Sequence, residues 1–192
     1  ELRRIDGAAV GLYGGTQSAT SCDVDQLAAF LAAEPDKAAA WAGALGLEVD
    51  RVDEYLDRLT PALLTTDTRV VNHGFADGVA TPREAVLQRG TAVLVDWRGV
   101  PRVNCSCGNP LLEPEPSGVE TRFVGTPWPA FEPDQVAVIE VAPVEIEVFV
   151  LVDVTTGTLF GRPAGTSGAE DLGDPLGSTE PPEPPAAEPP TT

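Results

Sequence analysis

The sequence predicts an α+β fold: three short N-terminal helices packed on a mostly antiparallel β-sheet with hairpins, followed by a disordered Pro-rich tail. Three observations predict it. Apolar residues recur at helical spacing over residues 23–60, then switch to a period of two from residue 62 onward. Gly- and Asp-containing turns punctuate the second part at hairpin spacing. After Arg162 the chain has no basic residue and few large apolar ones, and it ends in repeated Pro-Pro. Such a segment cannot bury enough surface to offset its ordering entropy. The predicted organisation is one globular domain over residues 1–163 and an acidic Pro-rich spacer over 164–192.

The helices are justified in order. Asp23, with Gln26 three residues on, opens the first as a capping box, and Val24, Leu27, Phe30 and Leu31 fall on one face. Pro35 suits the first turn of the second helix, which carries Trp41 and Leu45 and ends at Gly46. Asp50 caps the third, with Val52, Tyr55, Leu56 and Leu59, and Thr60-Pro61 stops it.

The strands follow. AAVGLY, before the helices, is a first strand, and the Gly14-Gly15 pair after it is not a phosphate loop because no Gly-Lys-Ser/Thr follows. ALLT and TRVVNHGF are short strands, and TPRE at 81–84 opens either a helix or a further strand. TAVLVD is a buried strand that turns back through DWRG onto VPRVNC. Residues 110–134 form a Pro-rich crossing. QVAVIEV, VEIEVFVLVDV and GTLFGRP are three more strands, the last two a hairpin. In the long one, Val144, Ile146, Val148, Val150 and Val152 share a face read as core, opposite Glu145, Glu147, Phe149, Leu151 and Asp153.

Charge narrows the function classes. The chain has 192 residues and a formal net charge of −18, and Lys37 is its only lysine among 12 basic residues. Such a surface repels phosphates, so no nucleic-acid partner is expected. No apolar run approaches the ~18 residues of a membrane span, so none is expected within this stretch.

The chemistry-bearing residues are few. Cys105 and Cys107 sit two apart on a strand end, so they point to opposite faces and are poorly placed to bond to each other. In an oxidising compartment Cys22 pairs with one of them, which leaves one thiol over. That bond closes a loop of more than 80 residues, worth roughly 3–5 kcal/mol in the chain-entropy picture. A second reading adds His73, the only histidine. Cys22, His73, Cys105 and Cys107 would suit tetrahedral zinc by ligand type, although the usual Cys-x2-Cys spacing is missing. A third pairs His73 with a free cysteine as a thiol enzyme. No nucleophile elbow or calcium loop is present, and no carboxylate pair is singled out as a catalytic residue. Trp97 and Trp128 lie in turns and are candidates for holding a protein or sugar partner, or for covering the sheet end.

Asn72–Phe75, Ala80–Pro82, Leu87–Asp96 and Cys105–Leu111 together resemble a known pattern: Asn-His-Gly-Phe, Ala-Thr-Pro, a Leu-Gln-x-Gly-Thr-Ala-Val-Leu-Val-Asp strand and Cys-x-Cys-Gly-Asn-Pro-Leu. It is that of an uncharacterised domain in secreted and membrane-anchored actinobacterial proteins, and the resemblance spans about residues 8–165. It implies an extracytoplasmic location, secreted or anchored through a segment outside this stretch, and names no substrate. The expected function is a non-enzymatic interaction or structural module of the cell envelope, with a protein or cell-wall component as partner. The alternatives are a thiol/His-dependent enzyme and a zinc-stabilised regulatory domain.

Overall fold

The structure is a computed structural model that describes residues 3–115 and 122–177. Strand β1 is Arg3–Asp6 and β2 is Tyr13–Gly15, so the expected single strand AAVGLY is instead mostly the bend between two strands. Helices α1 (Val24–Ala33), α2 (Pro35–Ala44) and α3 (Val52–Asp57) follow. The Asp23 carboxylate accepts from the Gln26 N–H at 2.8 Å, which caps α1 as expected. Gly46, at φ +68, lets the Gly46 and Leu47 N–H groups close back on Gly43 and Ala42. That is the left-handed helix ending that glycine favours. Asp50 does not cap α3: it lies inside a 3-10 turn, Val49–Arg51, that leads into the helix.

The remaining strands are β3 (Thr60–Leu64), β4 (Thr68–Ala76), β5 (Val79–Leu87), β6 (Ala92–Val95), β7 (Pro101–Asn104), β8 (Asn109–Leu112), β9 (Ala137–Glu140), β10 (Val148–Asp153) and β11 (Leu159–Pro163). All eleven join one sheet in the order β1-β9-β4-β8-β7-β6-β3-β2-β10-β11, with β5 pairing β4 off this path. Most pairings are antiparallel; β1 with β9, β9 with β4, and β2 with β10 are parallel. The fold is therefore α+β with the sheet dominant.

Two cores lie on opposite faces of the central strands. On β6, Val93 and Val95 enter a cluster with Tyr13, Leu111, Leu151 and Phe160, while Leu94 between them enters a second cluster with Leu31, Trp41 and Leu56. A strand sends alternate side chains to opposite faces, so an unbroken apolar run marks a strand covered on both. Each fully buried large side chain contributes about 1.5–3 kcal/mol.

The structure decides one point that the sequence leaves open and differs from the expectation at three further places. The TPRE stretch lies inside β5, because Asp77 and Gly78, both at positive φ, turn β4 directly back on itself. Asp-Gly at two left-handed positions suits the tight hairpin turn whose twist matches the strands. The core face of the long strand is inverted: Phe149, Leu151 and Asp153 are buried, while Val148, Val150 and Val152 are half-buried and Val144 is 67% exposed. The expected core face carries only β-branched Val and Ile and could not mark the inside, whereas the larger Phe149 and Leu151 on the other face bury more area. Within the supposed Pro-rich crossing, Asn109–Leu112 pairs with β7 and β4 as β8.

The third difference is the domain boundary. The packed chain continues past residue 163, with contacts onto the domain as far as Leu172. Leu172 pairs with Gly161, Gly165 donates to the Thr60 hydroxyl at 2.9 Å, and Asp171 reaches Arg162. The expected spacer over 178–192 lies outside the described residues.

Candidate functional site

The cysteines are settled by where α1 begins. Cys22 precedes the Asp23 cap, and Cys105 directly follows β7, its N–H donating to the Ala92 carbonyl at 3.0 Å. The two form a disulfide with Cα atoms 5.6 Å apart, across a sequence separation of 83 residues. It staples the helical cluster to the sheet, and both cysteines pack against the core cluster that contains Leu31, Trp41 and Leu56. A disulfide sulfur offers no thiolate to a metal, so Cys22, His73, Cys105 and Cys107 do not form the four-ligand zinc set.

Cys107 is left free and exposed. It sits in a tight turn: the Asn104 carbonyl accepts from Cys107 and Gly108, and the Asn104 side chain accepts from Ser106. The Trp41 indole N–H donates to the Gly108 carbonyl at 2.9 Å, so α2 holds the turn in place. A cavity of about 160 Å3 opens between α2, this turn and the β4–β5 hairpin, lined among others by Phe30, Lys37, Trp41, His73, Phe75 and Cys107. His73 is 8% exposed, and its Nδ1 has no hydrogen-bond partner among the described residues. The thiol donates to the Asn104 carbonyl at 3.9 Å rather than to His73. His73 and Cys107 thus share a cavity without forming the hydrogen-bonded pair that activates a thiolate.

A larger groove of about 770 Å3 lies where β1, the β3–β4 loop, the β5–β6 loop and the segment before β9 meet. Its polar wall includes Arg3, Gln88, Arg89, Glu132 and Gln135, and its aromatic wall is Trp128. The Trp128 ring is held edge-on by Phe131 at 4.9 Å, which in turn meets Phe123 at 5.3 Å. Asp67 fixes the neighbouring loop by accepting the Arg89 backbone N–H at 2.8 Å. The Arg3 and Arg89 guanidiniums make no ion pair among the described residues. In a chain of net charge −18, two cations in one groove without an ion pair among the described residues are suited to meet a ligand.

The other candidate tryptophan is placed differently. The Trp97 ring carries the Arg58 guanidinium on its face at 3.6 Å and meets Tyr55 edge-on at 5.8 Å. Burial pushes the Tyr55 hydroxyl well above its usual range. The turn beneath Trp97 is fixed by Asp96, which accepts from the Arg98 and Val100 N–H groups and from Arg102 at 2.6 Å. Both rings are half-buried; Trp97 is covered by Arg58 and Tyr55 at the sheet end, while Trp128 lines the large groove. Of the residues singled out from sequence, the fold brings Cys22 to Cys105 and His73 to Cys107. It leaves Trp97 and Trp128 apart. Arg3 and Arg89 carried no signal in the sequence, Lys37 only that of being the single lysine, and Phe30 and Phe75 only those of a helix face and a motif, since the neighbours that make them lining residues come from distant elements.

A family model for a domain of unknown function, DUF6777, matches residues 3–165. No curated protein and no solved structure matches the chain.

Proposed function

The chain belongs to this DUF6777 domain family, and we propose that the domain is a non-enzymatic interaction module of the bacterial cell envelope, working outside the cytoplasm. The observation that carries the reading is the open groove with Trp128 on one wall and, on another, Arg3 and Arg89, which make no ion pair among the described residues. An aromatic face beside exposed guanidiniums, amides and a carboxylate suits a polar ligand such as a protein segment or a cell-wall polymer. Stacking supplies contact area, and the polar groups supply orientation. The Cys22–Cys105 disulfide supports the compartment, because such bonds persist where the surroundings are oxidising. The thiol-enzyme alternative is the less supported, because the thiol and His73 do not hydrogen-bond.

The test is retention of the intact protein on isolated cell envelopes. Trp128→Ala and Arg89→Gln are expected to lower retention by about tenfold each, a loss of ~1.4 kcal/mol per site. Retention equal to wild type in both variants, with the fold intact by circular dichroism, overturns the groove as the binding face.

A further inference from the structure

Lysine and histidine each occur once in this chain, and only one cysteine is left unpaired. Lys37, His73 and Cys107 line the same cavity of about 160 Å3, although they come from α2, β4 and the β7–β8 turn. We infer that this cavity captures a small carboxylate-bearing disulfide, which Cys107 holds as a mixed disulfide.

Four observations support the inference. Cys107 is exposed, and its thiol has only a long contact with the Asn104 carbonyl, so it is free to react. The space corresponds to about five waters at the liquid volume of ~30 Å3 each, enough for an amino-acid-sized adduct. Its walls are aromatic: Trp41 is buried, while Phe30 and Phe75 stand 47% and 43% exposed at its mouth. Two polar groups are not used up by the fold. His73 is more than nine-tenths buried, with a ring nitrogen that has no partner among the described residues. Lys37 rests over the Phe30 ring at 4.9 Å and lies 3.4 Å from Glu34. An ammonium has three donors, so one pairing leaves others for a ligand carboxylate.

The step balances without any further oxidant. The Cys107 thiol loses its proton and the thiolate attacks one sulfur of the small disulfide. The Cys107 S–S bond forms, the original S–S bond breaks, and the second half leaves as a thiolate that takes up a proton. No second thiol remains in the chain to resolve the adduct, since Cys22 and Cys105 are bonded to each other.

Charge makes the test sharp. A net charge of −18 slows attack on an anionic reagent at an ordinary exposed thiol. The probes are dithiobis(nitrobenzoate), which is dianionic, and dithiodipyridine, which is uncharged, each reacted with the full chain. The ratio of the anionic to the neutral rate is expected to be higher for the folded protein than for the same thiol in the urea-unfolded chain. Lys37→Gln is expected to lower that ratio by about fivefold, the effect of one unit charge at contact distance in water. Cys107→Ser is expected to give no adduct by intact mass, with the Cys22–Cys105 bond retained. A folded-state ratio at or below the unfolded one, or a ratio unchanged in Lys37→Gln, overturns the capture site.

Discussion

Arg162 and Asp171 form an ion pair with both side chains fully buried, and the pair holds the chain beyond β11 onto the domain. Two guanidinium nitrogens meet the two carboxylate oxygens at 2.8 and 2.7 Å. The remaining donors go to the carbonyls of Pro61 at 2.9 Å and Ala19 at 2.8 Å, and the Asp171 carboxylate also accepts from the Ser18 N–H at 2.9 Å. Residues 16–19, β3 and the segment after β11 thus meet at one guanidinium. Taking two charges out of water is costly, and the cost is met only when every donor and acceptor is satisfied.

Removing one partner should therefore be severe. Asp171→Ala leaves a guanidinium buried without its counter-charge, and a loss of about 3–5 kcal/mol is expected in urea unfolding. A chain ending at Pro163 should lose at least as much, since it lacks Asp171 as well. A truncated protein with wild-type stability would show that residues 164–177 lie on the domain without supporting it.

The disulfide should behave as a staple rather than a redox centre. Intact mass after alkylation without reductant is expected to show one modified thiol, at Cys107. The paired change Cys22→Ser with Cys105→Ser should cost roughly 3–5 kcal/mol, the loop-closure value for a separation of this length. Three alkylated thiols in the untreated protein would contradict the Cys22–Cys105 bond.

The turn after β6 should tolerate no side chain. Gly99 has φ +76, and a Cβ on the facing Gly7 would come within 2.6 Å of the Arg98 carbonyl, so the two backbones meet without room for a methyl group. Tyr13 donates to the Gly99 carbonyl at 2.7 Å from within the core. Gly90 serves as the control, with φ +90 but open space around its Cβ position. Each alanine substitution should cost about 1–3 kcal/mol for the left-handed backbone. Gly99→Ala should cost clearly more than Gly90→Ala, and equal losses in thermal unfolding would remove the close approach as the cause.

Asp153 gives the stability a pH dependence. Hydrogen bonds from the Gln17 N–H at 2.9 Å, from the Thr155 hydroxyl, and from the Thr155 and Thr156 N–H groups hold its carboxyl well below the usual range. A carboxyl depressed in the folded state supports folding above its unfolded value, near ~3.9, and that support is lost as pH falls toward the folded value. Wild type should exceed Asp153→Asn in urea midpoint at pH ~6, and the gap should narrow below about pH 4. A gap that stays constant between those conditions refutes the assignment.

Much of this architecture is legible in local sequence. The Asp23 cap, the Pro35 start, the Gly46 ending and the β6–β7 hairpin all appear where the residues call for them. These are short-range effects, decided by φ preferences and by side chains bonding to their own backbone. The Asp77-Gly78 turn is equally local, and it decides for the strand at TPRE, which the residues of that stretch alone leave open between helix and strand. The inverted face of β10 was not legible, because both of its faces carry apolar residues and only the neighbouring layers decide which is deeper.

The sequence by itself determined the fold class, the helical cluster, the acidic surface and that any disulfide leaves one cysteine over. Tertiary structure alone decided which sulfur Cys22 takes, that Trp97 is spent on Arg58 while Trp128 faces a groove, and that Lys37, His73 and Cys107 share a cavity. It also decided that Asp171 folds back on Arg162. The reason is range. Composition and periodicity record what each residue prefers next to its neighbours, whereas a site is made by residues many positions apart whose proximity exists only after the sheet order is set.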